Sequence, residues 1–152
     1  VKIIILIILF TIGLQAREIS LIETANGYLK YKKEILHYSL IYDLDYRLVT
    51  TIIAYESGFN EKASYGGCNG LMQVKGGSFE VRSNIRGGCS ILHKCFNSFP
   101  DDTIKAITAY NKGITGAKKA KGIINYTKDV LRAYGALKIL LDDNFIRRFY
   151  EF

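Results

Sequence analysis

The chain has 152 residues, 49% of them apolar and 23% charged. That is enough for one ordinary domain, too little for two, and too apolar for a disordered chain. Twenty-one Lys and Arg against fourteen Asp and Glu give a net charge of +7, which favours polyanions such as nucleic acid, anionic lipid or an acidic wall polymer without choosing among them.

In chain order, Val1-Lys2 is a short positive start and residues 3–14 form an almost unbroken apolar stretch. Twelve residues of helix span about 18 Å, short of the ~30 Å hydrocarbon core, which suits a signal peptide better than a membrane anchor. Ala16 is a small residue suited to a cut, although Leu14 stands where a second small residue is preferred. An uncleaved anchor or a buried N-terminal helix is the alternative. The expectation is a signal peptide over residues 1–16 and a single domain over 17–152. The mature protein would then be periplasmic or secreted, with no stable membrane span and no nucleic-acid partner.

A helix is predicted over residues 28–42, with Leu29, Ile35, Leu36, Leu40 and Ile41 among Lys and Glu. Asp45 is a good N-cap for a second over 46–56, ended by Ser57-Gly58. Residues 64–77 are Gly-rich and read as loop and short strand. A third helix starts at Ser83 or Asn84 and runs to about 96. Asp101 or Asp102 caps a fourth over 103–111, stopped by Gly113, with a basic loop over 113–122. A long helix over 126–141 precedes a basic, aromatic stretch, 145–152, expected to pack back on the domain. The class is mainly α, a small helical domain with a minor strand element.

Export would place Cys68, Cys89 and Cys95 in an oxidising compartment, where one disulfide and one leftover thiol is the natural arithmetic. On one helix, Cys89 and Cys95 would be about 9 Å apart in rise, beyond the reach of a bridge. Cys68 is therefore expected to pair with Cys89 or Cys95; three free buried thiols are the alternative if the chain is not exported. Neither His37 nor His93 stands at ligand spacing with two cysteines, so no metal site is expected.

Glu56 breaks a rule. It falls on the same face of the second helix as Val49, Ile52 and Ile53, and it occupies the last turn, where the helix dipole disfavours a carboxylate. Both effects raise a carboxyl pKa, desolvation first. An acid kept protonated near neutral pH is what cleavage of a glycosidic bond needs. On spacing alone, a Glu paired with Lys or tilted into solvent is the alternative.

Four segments in order shift that balance: Glu56-Ser57-Gly58-Phe59-Asn60, Gly70-Leu71-Met72-Gln73, Ala109-Tyr110-Asn111-Lys112-Gly113 and Asn125-Tyr126. This set resembles the soluble lytic transglycosylase family of the lysozyme-like superfamily, which includes goose-type lysozymes, over about residues 38–134. The resemblance implies that Glu56 is the sole catalytic acid/base and that Ser57 helps to position the site. It implies that Gly70, Leu71, Met72 and Gln73 line the sugar groove, that Tyr110 and Asn111 belong to the third motif near the acid, and that Tyr126 is the tyrosine of the fourth. The buried stripe of Tyr126, Val130, Tyr134, Leu137 and Leu141 makes Glu56 a candidate partner for the Tyr126 hydroxyl. Asn84-Ile85 with Gly88 looks like the family's architectural helix start.

Two features depart from the family pattern. Val74-Lys75-Gly76-Gly77 replaces its Met-Pro-x-Thr continuation, which changes one wall of the groove. Gly67-Cys68 replaces its Gly-Ala, where a disulfide is expected to brace the loop.

The implied substrate is the glycan strand of peptidoglycan, cut between N-acetylmuramic acid and N-acetylglucosamine to leave a 1,6-anhydro end, with no cofactor. A hydrolase of the goose-lysozyme type and a non-catalytic wall-binding module are the alternatives. By analogy, small enzymes of this superfamily accompany secretion, conjugation or phage machinery.

Overall fold

In the computed structural model, which describes residues 20–141, Ser20 accepts a hydrogen bond from the Glu23 N–H and opens helix α1 (Leu21–Ile41). The leader expected over 1–16 and the stretch 145–152 lie outside the described residues. The helix starts seven residues before the expected 28, and within its added turns Gly27 allows a close approach. A Cβ there would meet the Phe59 ring at 2.3 Å. The helix bends at Tyr31, whose φ −112° and ψ 17° leave the helical range.

Asp45 caps α2 (Tyr46–Ser57) as expected, accepting from the Arg47 N–H at 2.9 Å. Its carboxylate also takes the Arg47 guanidinium and, at 2.8 Å, the Tyr134 hydroxyl. Partial burial by itself would raise its pKa, but these donors outweigh it and hold the carboxyl below the usual range. The expected buried stripe on α2 is in fact a buried girdle: every residue from Leu48 to Ala54 is buried. Thr50 and Thr51 tolerate this because their hydroxyls bond back to the carbonyls of Tyr46 and Arg47. Fully burying Ile52 and Ile53 contributes about 1.5–3 kcal/mol each.

Three two-residue strands follow, β1 (Ser64–Tyr65), β2 (Cys68–Asn69) and β3 (Val74–Lys75), in an antiparallel sheet of order β1-β2-β3. Helix α3 (Val81–Ser98) starts earlier than expected, because Glu80, and neither Ser83 nor Asn84, accepts from the N–H groups of Arg82 and Ser83. Helix α4 (Thr103–Lys119) is capped by Asp102, one of the two acids expected there, and breaks its geometry at Gly113 (φ 73°, ψ 161°). It then resumes where a loop was predicted. Helix α5 (Asn125–Leu140) closes the described chain. The domain is mainly α with a small antiparallel sheet. Helix α2 lies between α1 and α5, and α3 packs on α1, α4 and β3. No described helix is long and apolar enough to cross a membrane.

The expected bridge from Cys68 to Cys89 or Cys95 is not formed, and all three cysteines are free thiols. Cys89 lies in the main core, Cys95 in a separate cluster with Ala109 and Ala117, and Cys68 on the half-buried middle strand, paired with Tyr65 and Lys75. Each helix-borne thiol is thus claimed by its own apolar packing. Burial pushes the Cys89 thiol up to about 12 and Cys95 to about 11. A soluble alkylating reagent is therefore expected to modify Cys68 alone in the native protein and all three after unfolding, counted by intact mass. Native labelling of Cys89 at the Cys68 rate would contradict this packing.

Candidate active site

Gly58, in the left-handed conformation (φ 58°), terminates α2 and leaves its last turn at the wall of a cleft of about 650 Å³. Tyr55, Glu56 and Ser57 line the cleft from the helix, and Asn60, Lys62, Tyr65 and Gln73 line it from the following loops. The buried girdle of α2 carries the Glu56 carboxyl out of the core on one side only.

Glu56 is half-buried, and its Oε1 accepts a hydrogen bond from the Tyr126 hydroxyl at 2.6 Å. Burial raises its pKa above the ordinary glutamate value, while the Tyr126 hydrogen bond pulls the other way and only moderates the rise. Tyr126 is itself pushed up by burial and by the neighbouring Glu56 charge, so it remains a donor at any working pH. Its ring meets that of Tyr55 edge-on at 6.4 Å.

The loop opposite is held by side chains more than by its short strands. Ser57 Oγ, placed between two carbonyls, donates towards that of Leu71 at 2.8 Å and towards that of Ile53 at 3.2 Å. Asn84 is almost fully buried; its Oδ1 accepts from the Met72 N–H at 2.8 Å and its Nδ2 donates to the carbonyls of Asn69 and Ser78. Gly70 has φ 74°, and a Cβ on it would lie 2.3 Å from Asn84 Nδ2, so both backbone and space demand glycine. The Tyr110 hydroxyl donates to the Met72 carbonyl at 2.8 Å.

The residues expected along the groove thus separate into two groups. Glu56, Ser57 and Gln73 line the cleft, and Tyr126 reaches it through Glu56. Leu71 and Met72 are core residues, 1% and 0% exposed, and offer a ligand no side-chain surface. Gln73 turns its amide nitrogen back to the carbonyls of Ala63 and Gly70, leaving its oxygen as acceptor. Tyr110 stands behind the loop, and Asn111 is exposed on α4 outside the cleft lining. Lys62 and Tyr65 were missed because they lie between the first two motifs, and Tyr55 because it stands on the second helix just before the first motif and off the stripe of Val49, Ile52 and Ile53.

One carboxyl dominates the cleft chemically. Among the described residues that line it, Glu56 is the sole acid. Glu61, five residues on, faces away to the Lys30 ammonium at 3.1 Å and to the Tyr31 hydroxyl.

A raised carboxyl pKa has a stability signature. Below the ordinary glutamate range both folded and unfolded chains hold the proton, and burial of the acid costs nothing in ionisation. As pH climbs through the folded pKa, the unfolded chain is already ionised and the folded state loses stability relative to it. Glu56→Gln removes this ionisation, so its Tm advantage over the parent should be absent in acid and grow towards neutral pH. Calorimetry across that range checks it; an advantage independent of pH would show that the carboxyl is not desolvated.

The family model for the transglycosylase SLT domain matches residues 34–130, more than half of the chain, and takes in Glu56, the Gly70–Gln73 loop, Tyr110 and Tyr126. With that match and this site, the chain belongs to the SLT family, lysozyme-like lytic transglycosylases that act on peptidoglycan.

Proposed function

We propose that the protein cleaves the β-1,4 bond between N-acetylmuramic acid and N-acetylglucosamine and leaves a 1,6-anhydromuramic end. The observation that carries this reading is a single raised-pKa carboxyl in the cleft, unaccompanied by a second acid among the described lining residues. Two-carboxylate glycosidases need a partner acid to act as nucleophile or to activate water. With one acid, the substrate must supply the second function.

Protonated Glu56 donates its proton to the bridging oxygen as the bond to the leaving sugar breaks. The substrate's own acetamido oxygen then shares the positive charge that develops at the anomeric carbon. Ionised Glu56 next takes the proton of the C6 hydroxyl while that oxygen closes on the anomeric carbon, which restores the acid and consumes no water. Tyr126 fits both halves, since its hydroxyl steadies the carboxylate between the two proton transfers. Tyr65 is 86% exposed at the rim and offers a ring face to a sugar. Lys62 supplies a cation for the carboxylates that muramic acid and its peptides carry. We also propose that the enzyme works outside the cytoplasm, exported by the leader read over residues 1–16.

Glu56→Gln should lower cleavage of purified wall glycan by at least about a hundredfold. Retained cleavage would remove this residue from the mechanism. Mass spectrometry of the products decides the acceptor: an anhydro end is about 18 Da, one water, lighter than a reducing muramic end. A reducing end would make the enzyme a hydrolase of the goose-lysozyme type.

Activity should fall as pH rises through the Glu56 pKa, because the first step needs the protonated acid. Tyr126→Phe removes a hydrogen bond that favours the ionised form, so the falling limb of kcat/KM should move to higher pH. A limb that stays in place, or moves to lower pH, would contradict the geometry.

A further inference from the structure

Helix α1 has two apolar sides where a surface helix needs one. Thr24, Tyr28, Tyr31, Ile35 and Tyr38 face the core. On the opposite side, Ile22, Leu29, Leu36 and Leu40 follow at intervals of seven, seven and four residues, which returns them to one face on both sides of the bend at Tyr31. All four are exposed, Leu29 by 65% and Leu40 by 85%. Scattered exposed leucines need no explanation, but apolar side chains that recur on one outer face along the whole length of a helix, interleaved with lysines, make an amphipathic surface that a partner can cover.

The charges beside the row say by what. Lys32 and Lys33 flank it, both exposed and both without an ion-pair partner among the described residues, whereas neighbouring Lys30 is held by Glu61. The acids of the helix are set apart: Glu23 lies in the first turn and Glu34 is half-buried. A second copy is a poor occupant. A two-fold pairing of these rows would set the lysines near their middle against each other, with no exposed carboxylate of the helix beside them to offset the charge. An anionic surface with an apolar interior satisfies both features at once. Leucines enter at the headgroup level while the long lysine stems carry their ammonium groups back to the phosphates.

We propose that the outer face of α1 lies flat on a bilayer rich in anionic phospholipid. The helix lies on the surface and does not span it, and the domain is held with its cleft at a fixed height beside the membrane. This is separate from the leader, which precedes α1 in the chain, and the test must read the helix alone.

The sequence contains no Trp, so a single introduced one reports a single place. Full-length Leu40→Trp is compared with Ile139→Trp, another exposed apolar position, on α5, in the presence of phosphatidylglycerol or phosphatidylcholine vesicles. Leu40→Trp emission should shift to the blue on phosphatidylglycerol and be quenched by brominated acyl chains, while Ile139→Trp should do neither. Adding Lys32→Gln and Lys33→Gln to Leu40→Trp should weaken partition about thirtyfold, roughly fivefold for each lysine at an anionic surface.

Co-sedimentation with vesicles but no Leu40→Trp shift would mean that another segment binds, and would overturn the proposal. Equal partition into phosphatidylcholine would do the same. A blue shift without vesicles that grows with protein concentration would assign the face to a second copy instead.

Discussion

A carboxylic acid sheltered from water on most sides, yet open to a cleft on one, is the constraint around which this domain is arranged. Glu56 can be sheltered because α2 is buried all round just before it, and α2 can be buried because its two threonines satisfy themselves on their own helix. The Tyr126 hydroxyl prevents the opposite failure, a buried carboxyl with no partner at all. That donor comes from α5, seventy residues away in the chain, so packing of α5 on α2 is a precondition of the chemistry. Desolvation and the tyrosine pull the pKa in opposite directions, and desolvation prevails. A group that must give up a proton and then take one back benefits from that partial cancellation, since neither form is strongly trapped.

The wall facing the acid illustrates how a sheet too small to hold itself can still be rigid. Strands of two residues make few ladder bonds, and isolated hairpins of that size are marginal in water. Here side chains replace the ladder. Asn84 fixes three backbone groups from inside α3, Gln73 ties two more, and Ser57 and Tyr110 reach the carbonyls of Leu71 and Met72 from α2 and α4. Residues drawn from three helices thus converge on one loop. The Leu71 and Met72 side chains complete the attachment by entering the core. Much of what looks like a substrate motif is therefore the device that keeps the groove at a set distance from Glu56.

The cysteines obey the same logic of packing. Cys89 and Cys95 fill apolar clusters beneath α3, where thiols behave as small hydrophobes and burial suppresses their ionisation. No bridge is needed to brace a loop that Asn84 already holds. The outer row of α1 is the converse: exposed apolar side chains beside lysines that meet no carboxylate among the described residues. Inner and outer faces of one helix thus serve different surroundings, which is why its periodicity alone marks no single buried side.

The sequence by itself determined the helical class, the Asp45 cap, the Asp101-Asp102 start of a helix, the four ordered segments and the anomaly of Glu56, because each depends on neighbours within one or two turns. It also carried the clue to the Tyr126 partner, through a stripe that left one hydroxyl to be satisfied. Tertiary structure alone decided the rest. Helix α1 begins before the predicted residue 28, and Phe59 packs against Gly27 in its added turns. Val81 follows Glu80 into α3 although the better local caps lie further on. The cleft positions of Tyr55, Lys62 and Tyr65, the inward turn of Leu71 and Met72, and the free state of the thiols depend on contacts across the fold. Short-range patterns specify dihedrals and faces, but which faces meet is settled only when desolvation and hydrogen bonding are balanced over the whole chain.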